Sequence, residues 1–358
     1  MANLAPQAAP PQRRRIQGLD ALRGLAAISV MLYHYTAWYQ FAETGQMPSS
    51  LLISFPYGNF GVELFFIISG FVIFMTLEQT PTVYDFVTSR FARLYPAFVA
   101  CLVLTVAIAH ALRYAPGNVY GTLLAANLTM APGLFGFPGI DGSYWSLLYE
   151  LAFYGLAAVT VVGLGWQRPE LPCLVWLLIA LVVRSVGVLR LPGLVEMLTV
   201  AQFAHLFVIG ILLYRIHVGR VTWLTYPLLG FALAMSLFGP HWAFKPLPFP
   251  FYTVMTAGFA GLVWLAVADR LPVLHAAPLR FFGRISYPLY LIHQVAGFAV
   301  MARLEATGVT PNLAVAVTMA LVVALAWAVS AGVEWPARRW LRKVFARQRA
   351  RLVRPAVP

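Results

Sequence analysis

Stretches of about twenty mostly apolar residues follow one another along nearly all of this 358-residue chain, with few charges inside them. A helix that crosses the hydrocarbon core of a bilayer needs about 20 such residues. In lipid the backbone must satisfy its own polar groups, which a helix does within one segment. Ten windows meet the requirement, near residues 19–39, 57–77, 92–112, 143–163, 172–190, 194–214, 222–240, 249–268, 285–302 and 312–332. The expected fold is an all-α integral membrane protein, a polytopic bundle of about ten transmembrane helices. With 10% of residues charged and 61% hydrophobic, against roughly 25% charged in an ordinary soluble domain, disorder is excluded and a soluble globule disfavoured.

The charges that do occur report orientation. The net charge is +13, and 25 residues are Lys or Arg. If the N-terminus lies inside, twenty of those 25 cations fall on the cytoplasmic side, eight of them between Arg338 and Arg354. The excess of cations on one side is the positive-inside pattern, and it fits an even number of spans with both termini cytoplasmic. Residues 1–15 read as a polar tail, 16–340 as one transmembrane domain and 341–358 as a basic cytoplasmic tail. The first apolar segment contains Asp20 and Arg23 and lacks a small-residue cleavage site, so it reads as a retained helix, not a signal peptide. The basic tail is more simply lipid-facing than nucleic-acid-binding. Cys101 and Cys173 both fall in apolar runs, which leaves no disulfide framework and no metal-ligand set.

Ionisable groups at membrane depth are costly and usually face the bundle interior, which makes each a candidate functional residue. The first helix carries Asp20, Arg23 and His34. Arg23 and His34 are eleven residues apart, within roughly 20° on one helix face and about 16 Å apart along it. Glu63 stands near the outer end of the second window, with Ser69 and Gly70 deeper. Gly70 reads first as a packing residue. Glu150 and His293 are placed roughly 10–12 Å into their windows by the helical rise. His34, Ser69, Glu150 and His293 therefore fall in the central third, able to share one layer. Two arginine pairs, Arg90 with Arg93 and Arg280 with Arg284, precede helices on the cytoplasmic side. The plainer reading of both is membrane anchoring; the alternative is a phosphate-rich ligand, to which the planar guanidinium is suited.

Six segments then carry a resemblance. In order they are LDALRGLAAISVMLYHY, GVELFFIISGFVIF, the Arg-x-x-Arg of SRFARLYP, WSLLYELAFY, GRISYPLYLIH and VEWPARRW. They cover residues 16 to about 340, and in this order and spacing the chain resembles the membrane-bound acyltransferase-3 family of sugar and cell-envelope O-acyltransferases. The resemblance implies about ten membrane helices and transfer of an acyl group, often acetyl, to a hydroxyl of a carbohydrate-containing acceptor or glycolipid. It implies cytoplasmic acyl-CoA as donor and no bound cofactor, with the bacterial inner membrane as the location. Some relatives carry an extra esterase-like domain of the SGNH type. Its absence after the last helix here leaves open a separate protein that accepts the acyl group or finishes its transfer. By the same resemblance His34 is the residue most closely tied to activity, with Arg23, Arg90, Arg93, Glu150 and His293 at other motif positions.

Geometry and resemblance together suggest arginines Arg23, Arg90 and Arg93 on the nucleotide phosphates, with the thioester arm reaching His34. His34 acts either as general base or as nucleophile. Glu150 is the candidate to orient or charge-stabilise the imidazole. Ser69, His293, Asp20 and Glu63 are supporting candidates. The rival reading is a proton-coupled transporter or flippase, since buried His and Glu also suit proton movement.

Overall fold

The computed structural model describes residues 16–44, 51–114, 121–165, 168–186, 193–238 and 250–353. The expected N-terminal tail, Arg190, Lys245 and the last residues of the basic tail lie outside them. The described chain is helical, with no strand. Its α-helices are α1 (Gln17–Tyr33), α2 (Tyr39–Thr44), α3 (Gly61–Leu77), α4 (Val83–Ala111), α5 (Gly121–Leu128), α6 (Trp145–Ala158), α7 (Glu170–Val186), α8 (Gly193–Leu198), α9 (Ala204–His217), α10 (Thr225–Met235), α11 (Phe251–Val267), α12 (Ala277–Ile292), α13 (Val295–Ala306), α14 (Pro311–Val329) and α15 (Trp335–Val353).

Each of the ten apolar windows holds helix, but they are not ten equal spans. Among the described residues four helices are long and apolar enough to cross a membrane: Gly58–Leu77, Val83–Ala111, Gly142–Gly163 and Pro311–Arg351. A fifth span arises if α12 and α13, bent by 74° at their junction, count as one. The window at 194–214 divides into α8 and α9 around a turn, and α9, α10 and α11 belong to shorter apolar helices. The first window keeps its helix through a π turn, His34–Trp38, that joins α1 to α2.

Close backbone crossings hold the centre together. A Cβ on Gly70 would stand 2.1 Å from the Phe207 carbonyl oxygen, and one on Gly210 would stand 2.0 Å from that of Ile67. α3 and α9 therefore touch backbone to backbone, as small residues permit in membrane bundles. α1 and α12 cross in the same way. A Cβ on Gly24 would lie 2.6 Å from the Gly283 nitrogen, and one on Gly283 would lie 2.4 Å from the Asp20 carbonyl oxygen. From that crossing the two helices run on side by side in the same direction, and ten residues further along they deliver His34 and His293 to one place.

The break after α12 is held from outside. Tyr35 donates its hydroxyl to the His293 carbonyl at 2.5 Å, and Asp141 Oδ2 accepts from the Val295 N–H at 2.9 Å. Backbone groups freed by a broken helix at membrane depth need such partners.

Candidate active site

The π turn opens at His34, and single π turns inside α-helices often mark functional positions. His34 Nδ1 lies 2.9 Å from the Val30 carbonyl oxygen and 3.0 Å from His293 Nε2. His293 is buried at the α12–α13 break, with its Nδ1 2.8 Å from the Tyr290 carbonyl oxygen. A carbonyl only accepts, so the neutral His293 carries its proton on Nδ1 and presents a lone pair at Nε2. His34 then donates from Nδ1, shared between Val30 and His293. Its own Nε2 is left as a base. The hydrogen-bond network thereby assigns both tautomers.

His34 lines a cavity of about 530 Å³ with the aromatic residues Tyr33, Trp38, Tyr149 and Phe203 and the amides Asn59, Gln202 and Gln294. A second, narrow pocket of about 40 Å³ lies towards the end of the bundle at which α1 begins. Arg23, Ser69, Ser146, Glu150 and Tyr287 line it. The two share Val62 and Tyr290 as a common wall. Tyr290 is pinned there, donating its hydroxyl to the Ser143 carbonyl at 3.0 Å and accepting from the Ser146 hydroxyl at 2.8 Å.

The proposed single layer of His34, Ser69, Glu150 and His293 is thus two pairs. Ser69 donates to Glu150 Oε1 at 3.0 Å, and Tyr154 donates to the same oxygen. Glu150 serves the second pocket, where it lies in the electrostatic field of Arg23, and His293 is the side chain that holds the His34 imidazole. Helical rise measures depth and says little of which face of a neighbour a side chain meets.

Arg23 also has Arg93 and Asp20 within electrostatic reach, and Arg90 has Arg93, Tyr154, Arg23 and Glu150. Asp20 sits in the first turn of α1, where the helix dipole favours a negative charge. Arg90 is buried beside the Phe86 ring. The family-motif arginines therefore gather around Glu150 at one end of the α1 face, with His34 at the other. Arg280 and Arg284 are exposed at the start of α12, as anchoring predicts. Glu63 is buried and faces α11, accepting from the Tyr252 hydroxyl at 3.5 Å. It takes no part in the His34 pair. Among the described residues no group of three or more His, Cys, Asp or Glu side chains forms a metal site.

Asp141 is a buried residue of the site that sequence reasoning does not single out. Its carboxylate accepts from the Ser143 N–H at 2.9 Å, the Ser143 hydroxyl at 2.6 Å and the Val295 N–H. Burial raises its pKa above the usual carboxylate range, and these hydrogen bonds pull the other way. The signal was local: Asp-Gly-Ser is a turn in which the Asp side chain bonds the backbone two residues on. Its reach to Val295 was not.

Over 151 residues the chain is 30% identical to "Acyltransferase MdmB" of Streptomyces mycarofaciens, covering 40% of this chain and 39% of that protein. It is 29% identical over 158 residues to an "O-acetyl transferase" of Shigella phage Sf6, covering 40% and 46%. It is 28% identical over 182 residues to "Peptidoglycan O-acetyltransferase OatA" of Listeria monocytogenes, covering 44% and 26%. The matches thus span less than half the length of these relatives. No solved structure matches the chain. Among the described residues helices are apolar enough to span a membrane, residues 16–331 match the family model described as an acyltransferase domain, and the chain belongs to the acyltransferase-3 family.

Proposed function

We propose that this protein transfers an acyl group, acetyl in the simplest case, from cytoplasmic acyl-CoA to a hydroxyl of a carbohydrate-containing acceptor such as a cell-envelope or exported polysaccharide. The observation that carries the reading is the His34–His293 pair. It leaves His34 Nε2 as a held base on the wall of a large cavity, while arginines gather at the other end of the same helix face. That polarity suits a donor with a polyanionic end and a thin arm ending in the thioester.

In the reaction His34 Nε2 takes the proton of the acceptor hydroxyl as its oxygen attacks the thioester carbonyl. The C–S bond breaks, and the departing thiolate receives that proton from His34. No net proton is consumed. His293 holds the His34 Nδ1–H and so keeps Nε2 basic and aimed, the function of the orienting group in a nucleophile–base–orienter set. Arg23, Arg90 and Arg93 hold the donor phosphates by charge-assisted hydrogen bonds. Aromatic faces interleaved with amides that both donate and accept suit an uncharged, hydroxyl-rich acceptor.

The positive-inside count supports about ten passes with both termini and the arginine end in the cytoplasm, in a bacterial inner membrane. The large cavity then belongs to the outer side, where the acceptor, or a separate protein that carries the acyl group onward, meets His34. The test is transfer of labelled acetyl from acetyl-CoA to envelope glycan by the wild type and by His34→Ala, both inserted at equal level. Transfer that survives in His34→Ala would sink the reading; solute uptake without acetyl transfer would favour a transporter.

A further inference from the structure

α14 does not end at the membrane. Through a π turn, Ser330–Glu334, it runs on into α15, giving one helix from Pro311 to Arg351 of 41 residues. At 1.5 Å per residue that is about 62 Å, twice a hydrocarbon core of about 30 Å, so α15 projects beyond the bilayer core. Residues expected as a tail from 341 onward continue this helix to Val353. The family-model match ends at residue 331, and the VEWPARRW segment that shares in the resemblance leads into α15.

α15 lies along the first half of α4 in antiparallel register. The Tyr84 hydroxyl donates to Gln348 Oε1 at 3.2 Å, Asp85 pairs with Arg349 at 3.3 Å, and the Phe91 and Phe345 rings meet edge to face at 6.2 Å. Continued along the two helices, that register sets Arg90 and Arg93 against Arg338 and Arg342. The electrostatics agree: Arg338 lies in the field of Arg93, Arg342, Glu334 and Arg90. Glu334 in turn lies in the field of Arg93, Arg338 and Arg23.

Five guanidinium groups from α1, α4 and α15 therefore converge around three carboxylates, Asp20, Glu150 and Glu334, an excess of two positive charges. Glu150 and Glu334 already accept hydrogen bonds, Glu150 from Ser69 and Tyr154 and Glu334 from Ser330. The Nε groups of Arg90 and Arg338 are buried without a hydrogen-bond partner. Like charges brought together away from bulk water are unfavourable unless an anion joins them. The guanidinium groups of Arg90, Arg93 and Arg338 are the charge-assisted donors such an anion would meet.

We propose that α15 completes the donor site, with Arg338 binding phosphate groups of the acyl-CoA nucleotide alongside Arg90 and Arg93. This rests on acyl-CoA being the donor. The same phosphate chemistry is offered by an anionic lipid headgroup, and the test separates the two.

Binding of coenzyme A and of pantetheine, which lacks the phosphates, is measured on purified full-length protein in detergent free of anionic lipid. Arg338→Gln should weaken coenzyme A by about tenfold or more, the scale of one lost charge-assisted hydrogen bond, and leave pantetheine unchanged. Arg338→Lys should recover part of the loss, and Arg339→Gln, at an exposed position of the same helix, should change neither ligand. Unchanged coenzyme A binding by Arg338→Gln, or an equal loss of both ligands, overturns the proposal. So does a defect that appears only in vesicles containing phosphatidylglycerol, which would assign the phosphates to lipid. A wild type that binds no coenzyme A removes the donor reading itself, an outcome distinct from these.

Discussion

The imidazoles of His34 and His293 meet Nδ1 to Nε2 at 3.0 Å although 259 residues separate them in the chain. The contact follows from two backbone events. One is the Gly24–Gly283 crossing that lays α1 against α12, and the other is the 74° break that turns the chain just after α12 and leaves His293 at its end. Neither histidine depends on a carboxylate for its orientation. A pair of neutral imidazoles, one donating to the other, keeps a base in an apolar setting without the burial of an extra charge.

Replacing His34 by Gln keeps the approximate size and a polar end but removes the base. Acyl transfer should fall by about 10²–10⁴-fold, the usual worth of general acid–base catalysis. Donor affinity should change little, because the arginines proposed to hold the phosphates are untouched. The measurement is kcat for transfer alongside coenzyme A binding; a parallel loss of binding would place His34 in the donor site instead.

In the proposed mechanism His293 acts through His34, so its loss should be milder. His293→Ala is expected to lower kcat by about 10-fold to 100-fold while KM for the acceptor holds. His293→Gln, whose side-chain amide oxygen can still accept from His34 Nδ1–H, should recover part of the activity. If Gln and Ala behave alike, His293 is there for packing.

Much of this was open to sequence reasoning, and the limits are physical. The Arg23–His34 face is legible because helical periodicity is local. Gly70 is legible as a packing residue, and Arg90 with Arg93 as a pair, for the same reason. Where Glu150 points depends on Ser69, 81 residues away, and no periodicity within one helix carries that. The break that frees the His293 carbonyl is stabilised by Tyr35 and Asp141 from elsewhere in the chain. The π turns at His34 and at Ser330 each fit one residue too many into a helix whose sequence is otherwise regular. The divisions at α8–α9 and α12–α13 are not legible in the ten windows, because apolarity marks what lipid or protein can surround, and not where a helix ends.

The crossing of α1 and α12 should tolerate no side chain. Gly283→Val would set a Cβ 2.4 Å from the Asp20 carbonyl oxygen, backbone that cannot move aside, at a cost of about 1–3 kcal/mol or more. Thermal stability of the purified protein should drop and acyl transfer with it. By contrast Gly230→Ala, at a glycine with open space around it, should leave both unchanged.

Asp141→Ala removes the acceptor of three hydrogen bonds, two within the 141–143 turn and one that ties it to the start of α13. With Val295 N–H left buried and unmet, a loss of about 1–3 kcal/mol is expected. Because His293 stands two residues before Val295, the defect should reach catalysis. Hydrogen exchange at the α12–α13 junction and kcat should change together in Asp141→Ala. An activity loss with normal protection at the junction would mean that Asp141 touches the acceptor.

Direct transfer and an acyl-imidazole intermediate make different demands on His34 Nε2. In direct transfer it only moves a proton, so nothing happens to acetyl-CoA until a hydroxyl is present. As a nucleophile it would release coenzyme A first and hold the acetyl group itself. The cavity at His34, about 530 Å³, is large enough for an acceptor group to sit beside the thioester, which favours the direct route. Wild-type protein mixed with labelled acetyl-CoA and no acceptor should therefore show no stoichiometric burst of free coenzyme A and no acetyl label on the protein. Initial rates with both substrates varied should give intersecting, not parallel, lines. A burst of about one equivalent, lost in His34→Gln, would assign His34 as the nucleophile and His293 as the group that keeps its attacking nitrogen unprotonated.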